Sequence, residues 1–323
     1  MDTASDKRPK GLVIVGPTAS GKTGLAIALA HALAKEHRMG EVINADSMQI
    51  YTDLPIITAI PDEDERDGIP HHGFQVMDGG ARCSVGHWLD LTRAYGADII
   101  CRDHIPILVG GTGMYIRAAL EGISPIPDID PQYRDAATAL HAKLGGAGFR
   151  KALADYDPEL AARLHDGDTQ RLIRGMEVAL ATGEKLSDLQ AIPPQGAIDL
   201  DWITIKLVPE REALYDRINR RYPLMLDQGG LDEIKAFAAR NLDPNLPLMK
   251  AVGLPPMLKY LTGEKLFDEA VEDACRDSRR YAKRQTTWFN NQLQANICQE
   301  FGDFEQYSES FFEKILSKIT NKG

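Results

Sequence analysis

Eight consecutive residues, Gly16-Pro17-Thr18-Ala19-Ser20-Gly21-Lys22-Thr23, constrain this chain more than any others. They read G-x-x-x-x-G-K-T. An apolar run, Leu12-Val13-Ile14-Val15, precedes them, and a helical pattern, Leu25-Ala26-Ile27-Ala28-Leu29-Ala30, follows. A strand, a glycine-rich loop and a helix in that order form a phosphate-binding P-loop. The glycines let backbone N–H groups converge on an anion, the helix start adds partial positive charge, and Lys22 adds a full one. All eight residues are expected to hold a di- or triphosphate, and Thr23 offers its hydroxyl to Mg²⁺ as the one metal contact.

Strand and helix signals keep alternating after the loop. Glu41-Val42-Ile43-Asn44 reads as a second strand ending in Ala45-Asp46-Ser47. Ser84 is placed to cap a helix running through Trp88, Leu91 and Tyr95. Ile105–Val109 reads as a buried strand, Gly110-Gly111-Thr112-Gly113 as a turn, and Met114 to about Leu120 as a helix. This alternation predicts a parallel α/β sheet, with ligands at the C-terminal edges of the strands. The P-loop, Ala45-Asp46-Ser47 and Gly110-Gly111-Thr112 all fall at that edge.

A proline-rich stretch, Ser124–Pro131, interrupts the pattern, and from there to about Ala191 the sequence is helical and strand-poor, with stops at Gly145-Gly146 and Asp157-Pro158. Trp202–Leu207 resumes as a strand. The expected fold is therefore α/β: a P-loop parallel-sheet core with a helical insertion domain. Residues 1–125 form the first part of the core, 126–198 the insertion, and 199–323 the completion of the core with C-terminal helices. The last part includes a short strand at Asn296–Cys298 and an amphipathic helix carrying Phe311, Phe312, Ile315, Leu316 and Ile319.

Apolar content of 43% and charged content of 26% suit a soluble globular protein. Cys83, Cys101, Cys275 and Cys298 form no C-x-x-C pair, which predicts reduced thiols and a cytoplasmic location. The N-terminal residues have no apolar core of a secretory signal, and no apolar run reaches membrane-spanning length. A net charge of −10 speaks against nucleic acid as a partner. Against that, Arg276, Arg279, Arg280, Lys283 and Arg284 fall within about three helical turns. With Tyr281, Trp288 and Phe289 interleaved, they read either as a solvated helix face or as a docking surface for a polyanion.

A phosphate-hydrolysing P-loop protein carries a second acid at a strand end to help hold Mg²⁺. Here the strand Ile107-Leu108-Val109 ends in Gly110-Gly111-Thr112, without a carboxylate. The available acid, Asp46, follows the second strand instead. It reads either as a base facing an acceptor or as the cap of a helix beginning at Ser47. His71-His72 are adjacent, so in a strand they point to opposite faces and do not share a metal.

The motif set resembles the tRNA dimethylallyltransferases, also called tRNA isopentenyltransferases. It comprises Gly16–Thr23, Ile43-Asn44-Ala45-Asp46-Ser47-Met48-Gln49-Ile50-Tyr51, His71-His72, Val109-Gly110-Gly111-Thr112-Gly113-Met114-Tyr115, Gln170-Arg171-Leu172-Ile173-Arg174, Arg217-Ile218 with Arg220-Arg221, and Tyr281–Phe289. The similarity spans about residue 11 to about residue 290. It implies that the N6 amine of an adenosine next to the tRNA anticodon attacks C1 of dimethylallyl diphosphate and that pyrophosphate leaves. Asp46, Thr112, Lys22 and Arg221 are then catalytic, and Mg²⁺ is required. Asp46, Ser47, Met48, Gln49, Gln170, Arg171, Leu172, Ile173, Arg174, Arg280, Lys283 and Arg284 contact the tRNA anticodon stem-loop, with Arg279 as a further backbone grip. A monomer is expected. The missing Cys/His zinc-finger spacing points to the shorter, bacterial-type architecture. Two segments depart from the pattern: Ile56-Ile57-Thr58-Ala59-Ile60 lacks a Gly and a Lys, and Gly253-Leu254-Pro255-Pro256 lacks an aromatic and a cation. Two other enzyme readings share the P-loop: an adenylate isopentenyltransferase acting on free AMP or ADP, and a nucleotide kinase.

Overall fold

A computed structural model describes residues 8–301 and 307–320. Its sheet contains β1 (Lys10–Val15), β2 (Gly40–Asn44), β3 (His71–His72), β4 (Ile105–Gly110), β5 (Asp201–Pro209) and β6 (Ile297–Phe301). The strands run in the order β3-β2-β4-β1-β5-β6, and every neighbouring pair is parallel. Parallel pairing buries both faces of the central strands, which is why β1 and β4 read as unbroken apolar runs and not as alternating ones. Val15 pairs with Gly110, and Asn44 pairs with Val109. That register levels the C-terminal ends of β1, β2 and β4, so the three glycine- or acid-bearing turns lie side by side.

One face of the sheet is covered by the helix Lys22–Lys35, whose Leu25, Leu29 and Leu33 pack on Leu12, Ile14, Val42 and Ile107. Burying each such side chain contributes about 1.5–3 kcal/mol. Gly40 lets this helix approach closely, because a Cβ there would lie 2.9 Å from the Ala30 backbone. The helix Glu309–Thr320 adds Phe311, Ile315 and Ile319 to the same core, as its amphipathic spacing requires. Ser84 caps the helix Val85–Cys101, its side chain accepting from the His87 amide at 3.0 Å. β6 is longer than the sequence signal indicated, reaching Phe301 along its pairing with β5.

Residues Glu121–Ala197 form a compact unit of their own. Helices Pro131–Ala154, Pro158–Arg163, Thr169–Thr182 and Leu186–Ala191 pack around Phe149, Leu153, Leu160, Leu172, Ile173 and Met176. Gly145, at a φ of 66°, breaks the first of these helices where the sequence placed a stop. Asp157 is fully buried and caps the second helix: it accepts from the Leu160 amide at 2.9 Å and from the amide and hydroxyl of Ser187 at 2.8 and 2.7 Å. Burial pushes its pKa up, but these bonds outweigh that and hold it below the usual carboxylate range. The chain enters and leaves the unit at one point, where Ile123 and Gln195 exchange backbone hydrogen bonds at 3.0 and 2.8 Å.

Candidate active site

The loop after β1 is shaped by steric necessity. A Cβ on Gly16 would stand 2.8 Å from Ser20 Oγ and 3.1 Å from Leu207. Gly21 sits at a φ of 81° and opens the helix Lys22–Lys35. Lys22 Nζ donates to the Pro17 carbonyl at 2.7 Å, folding the side chain back across the loop. Ser20 is fully buried and its hydroxyl has no protein partner.

The turn after β2 is built around Asn44. Its side-chain oxygen accepts from the Asp46 amide at 2.7 Å, while its Nδ2 donates to the carbonyls of Asp46 and Gly73, both at 3.0 Å. The Trp88 indole donates to the Asn44 carbonyl at 2.9 Å and stacks on Tyr115 with centroids 4.2 Å apart. Asp46 Oδ1 then accepts from the Met48 amide at 2.9 Å. No helix begins at Ser47, so the helix-cap reading of Asp46 is corrected: its side chain closes a single tight turn.

The turn after β4 meets this one directly. Gly110 has no alternative, since a Cβ would lie 2.1 Å from the Ala45 carbonyl oxygen. The Thr112 amide donates to that carbonyl at 3.2 Å, and Thr112 Oγ1 accepts from the Ser47 amide at 3.0 Å and lies 3.2 Å from Ser47 Oγ. A third element closes over both turns. On the helix Phe267–Gln292, Gln285 Oε1 accepts from the Thr18 amide at 2.8 Å and its Nε2 donates to the Gly111 carbonyl at 2.9 Å. Trp288 covers Gly113, where a Cβ would meet the indole at 2.4 Å.

Lys22, Asp46, Thr112 and Arg221, four residues singled out in the sequence from separate segments, are thus brought to one locality. Burial lowers the Lys22 pKa to about 8. The Asp46 carboxylate opposes that shift and Arg221 adds to it. Burial raises the Asp46 pKa above the usual carboxylate range, with the Met48 amide, Lys22 and the Gln49 amide opposing. Arg221 is lowered by burial, countered by Glu65 and reinforced by Arg217. Tyr281, one turn before Gln285, is pushed well above the usual phenol range by burial and by Asp46; its hydroxyl interacts with Thr112 and Gln285. A carboxylate that prefers a proton, set near cations, can act as a base toward a neighbour while a polyanion is held beside it.

Gln285 carries no role in the sequence reading beyond membership of a motif, and Tyr281 none beyond that and the docking-surface reading. The available signal was the spacing of Tyr281, Gln285 and Trp288 along one helix face, with Arg280 and Arg284 flanking it and Lys283 on the far side. These three cations are exposed. Arg280 lies 3.6 Å from Asp277, and Arg284 sits 5.7 Å from the Tyr281 ring centroid. Arg276 pairs with Asp273 at 2.7 Å, and Arg279 donates to Asn219, so both are partly committed within the protein.

Met48 and Gln49 follow the Asp46 turn. Gln49 Nε2 donates to the carbonyls of Thr58 and Ala59, both at 2.9 Å. The amides of Ile56 and Ile57 bind Glu233 at 2.8 and 2.9 Å, so the segment that departs from the family pattern is anchored from both sides. Gly253, in the other departing segment, lies at a φ of 90° against the Tyr222 ring, whose hydroxyl donates to its carbonyl at 2.7 Å.

Within the helical unit, Gln170 and Arg171 are exposed at the start of Thr169–Thr182. Arg174 pairs with the buried Glu177 at 3.0 Å, and Arg134 reaches both Glu177 at 3.3 Å and Gln170 Oε1 at 2.9 Å. Leu172 and Ile173 are a correction. Their side chains point into the unit's core, 0% and 4% exposed, because the amphipathic helix turns them inward, so they do not belong in a set of RNA-contacting side chains.

His72 serves another cluster. Its Nε2 lies 2.7 Å from Glu41 Oε2, and Arg102 and His104 also bind that carboxylate. Glu41 is 1% exposed. Burial pushes its pKa up, but the bonds from Arg102, His104 and His72 bring it down to about 2. Among the described residues no group of three or more His, Cys, Asp or Glu side chains is arranged to hold a metal ion, and no helix is long and apolar enough to cross a membrane.

The sequence matches the family model "IPP transferase" over residues 49–292. It is 48% identical to a tRNA dimethylallyltransferase of Maricaulis maris over 87% of this chain and 90% of that one. The chain belongs to the IPP transferase family. A tRNA dimethylallyltransferase of Parvibaculum lavamentivorans is 43% identical over 97% of both chains. Among solved IPP transferase structures, the tRNA isopentenylpyrophosphate transferase of Bacillus halodurans superposes with a TM-score of 0.68 at 34% identity, covering 98% of this chain and 97% of its own. A eukaryotic dimethylallyltransferase acting on tRNA gives a TM-score of 0.77 at 27% identity, covering 98% of this chain and 80% of its own. The α/β fold of this IPP transferase is a P-loop parallel sheet with a helical unit inserted between β4 and β5.

Proposed function

We propose that this protein transfers a dimethylallyl group from dimethylallyl diphosphate to N6 of the adenosine next to the anticodon of tRNA, releasing pyrophosphate. The observation that carries the reading is the Asp46 carboxylate, held above its usual pKa range within electrostatic reach of Lys22 on the P-loop. Full-length relatives named for this activity support it.

The P-loop N–H groups of Gly16–Thr23, other than Pro17, which has none, and Thr18, whose amide donates to Gln285, and the Lys22 ammonium hold the donor's diphosphate, and Arg221 adds charge from another helix. The N6–C1 bond forms as the C1–O bond breaks, and the electron pair leaves with the diphosphate. Asp46 takes the proton that N6 sheds, a contribution of about 10²–10⁴-fold in rate. Thr112, held in place by its bonds to Ser47, orients the diphosphate. The hard oxygen donors present, the Thr23 hydroxyl and the buried, unpartnered Ser20 hydroxyl, suit Mg²⁺ bound together with diphosphate oxygens. The Thr23 hydroxyl would hold Mg²⁺, which when bound would supply charge neutralisation to the leaving group.

An adenine in a stacked loop cannot reach such a site, so it must be unstacked, with neighbouring loop bases read elsewhere on the protein. Ser47, Met48 and Gln49 border the flipped base, and Gln170, Arg171 and Arg174 read loop bases or phosphates. Arg280, Lys283 and Arg284 hold the backbone. A cytoplasmic monomer fits this role.

The test is a mass measurement on anticodon-loop fragments of purified tRNA after incubation with dimethylallyl diphosphate and Mg²⁺. A mass gain of one dimethylallyl unit on the adenosine is expected. Modification of free AMP alone, or steady ATP hydrolysis without prenyl transfer, would overturn it.

A further inference from the structure

Gln285 is 5% exposed and separated by more than half the chain from the loops it joins. Its amide is used at both ends: Oε1 accepts from the Thr18 amide at 2.8 Å, and Nε2 donates to the Gly111 carbonyl at 2.9 Å. The Thr18 amide is spent on this side chain. It therefore shapes the P-loop from outside the ring of amides offered to the diphosphate. Gly111 is held so closely that a Cβ there would stand 2.1 Å from Gln285 Nε2 and 3.7 Å from Asp46 Oδ2. Next along the chain is Thr112, which binds the Ser47 amide beside Asp46. One carboxamide thus spans the loop that holds the donor and the loop that orders the base. Tyr281, a helical turn away, reaches Thr112 and Gln285 from the same helix.

We propose that Gln285 is a positioning residue that fixes the spacing between the diphosphate loop and the Thr112–Asp46 turn, so that donor C1 and acceptor nitrogen meet at reacting distance. The proposal rests on the prenyl-transfer reading above. Gln suits the task because its carboxamide offers an acceptor and a donor on one rigid plane. Glu would keep the acceptor for Thr18 but lose the donor to Gly111. Met would fill the space and supply neither.

The first measurement is hydrogen exchange at the Thr18 amide by NMR, together with pyrophosphate affinity in Mg²⁺ by calorimetry. Neither needs turnover, so both remain readable if the prenyl-transfer assignment fails. Thr18 is expected to be protected in the wild type and in Gln285→Glu, and to exchange at least tenfold faster in Gln285→Met. Pyrophosphate binding should weaken several-fold in Gln285→Met. The second measurement is steady-state kinetics. Gln285→Met should lose about 10–10²-fold in kcat, the scale expected for a misplacement near 1 Å, with a raised KM for dimethylallyl diphosphate and a tRNA KM within about threefold of wild type. If Gln285→Met does not fold, Gln285→Asn, one methylene too short to span both loops, carries the same expectations. Folded Gln285→Met or Gln285→Asn with wild-type Thr18 exchange, or with kcat and donor KM within twofold of wild type, would overturn the proposal. If wild-type tRNA prenylation itself is not observed, that removes the reaction reading, while the exchange and pyrophosphate results still decide whether Gln285 sets the loop.

Discussion

The Ser47 amide donates to Oγ1 of Thr112 at 3.0 Å, across the gap between the turns that follow β2 and β4. A backbone group of one strand end is thereby fixed by a side chain of the other. Thr112→Val keeps the shape and removes the acceptor. It should leave folding nearly intact, at a cost of about 0.5–1.5 kcal/mol in urea titrations, while lowering kcat tenfold or more. Thr112→Ser should restore most of the rate.

Asp46→Asn retains the oxygen that accepts from the Met48 amide, so the turn should persist. Loss of the base should lower single-turnover prenylation by about 10²–10⁴-fold with tRNA affinity within a few-fold of wild type. Filter binding and rapid quench separate the two. An unchanged rate would remove Asp46 from the chemistry.

The pH profile of kcat/KM for the donor should be a bell with unequal origins. Asp46 works when deprotonated, and burial raises its pKa, so the acid limb should lie above the ordinary carboxylate value of 3.8. Lys22 works when protonated, and burial lowers its pKa, so the alkaline limb should fall near pH 8 and not near 10.5. Lys22→Arg should move the alkaline limb upward out of the measured range.

Acid should expose the cluster around Glu41. Its pKa falls from the ordinary 4.5 to about 2 on folding, so its contribution is complete above pH 4.5 and is lost as the pH falls toward 2. Glu41→Ala leaves Arg102, His72 and His104 facing a buried site without their carboxylate, and should cost up to about 3–5 kcal/mol at neutral pH. The difference from wild type should shrink toward pH 2, as read by urea unfolding.

Salt should report on the exposed cations of the helix Phe267–Gln292. Alanine at Arg280, Lys283 or Arg284 should each lower the slope of log affinity for tRNA against log salt by about 1. Arg276→Ala, which breaks an intramolecular pair with Asp273, should change that slope less.

Most of the sheet was legible because buried parallel strands leave unbroken apolar runs and because G-x-x-x-x-G-K-T specifies a backbone shape with little freedom. The catalytic candidates Lys22, Asp46 and Thr112 were legible for the same reason: each lies in or at the end of the loop that follows a strand, and those loops converge in this fold. Gln285 was not. Its partners are a backbone amide and a carbonyl far away in sequence, and its place on one helix face with Tyr281 and Trp288 marks it as inward without naming those partners. The inward turn of Leu172 and Ile173 was available from helical periodicity, but a motif read as a block concealed it. Glu41 was hidden because its partners, Arg102 with His104 and, separately, His72, lie on two segments far from it in sequence.

The lacing of Ile123 to Gln195 gives the helical unit a single doorway. Its two chain ends emerge as neighbours, so such a module can be exchanged, lengthened or excised by recombination at one seam without re-threading the sheet. Grafting it between adjacent residues of an unrelated host should yield a fragment that keeps its own helices, which would make the unit a portable piece, inherited separately from the sheet.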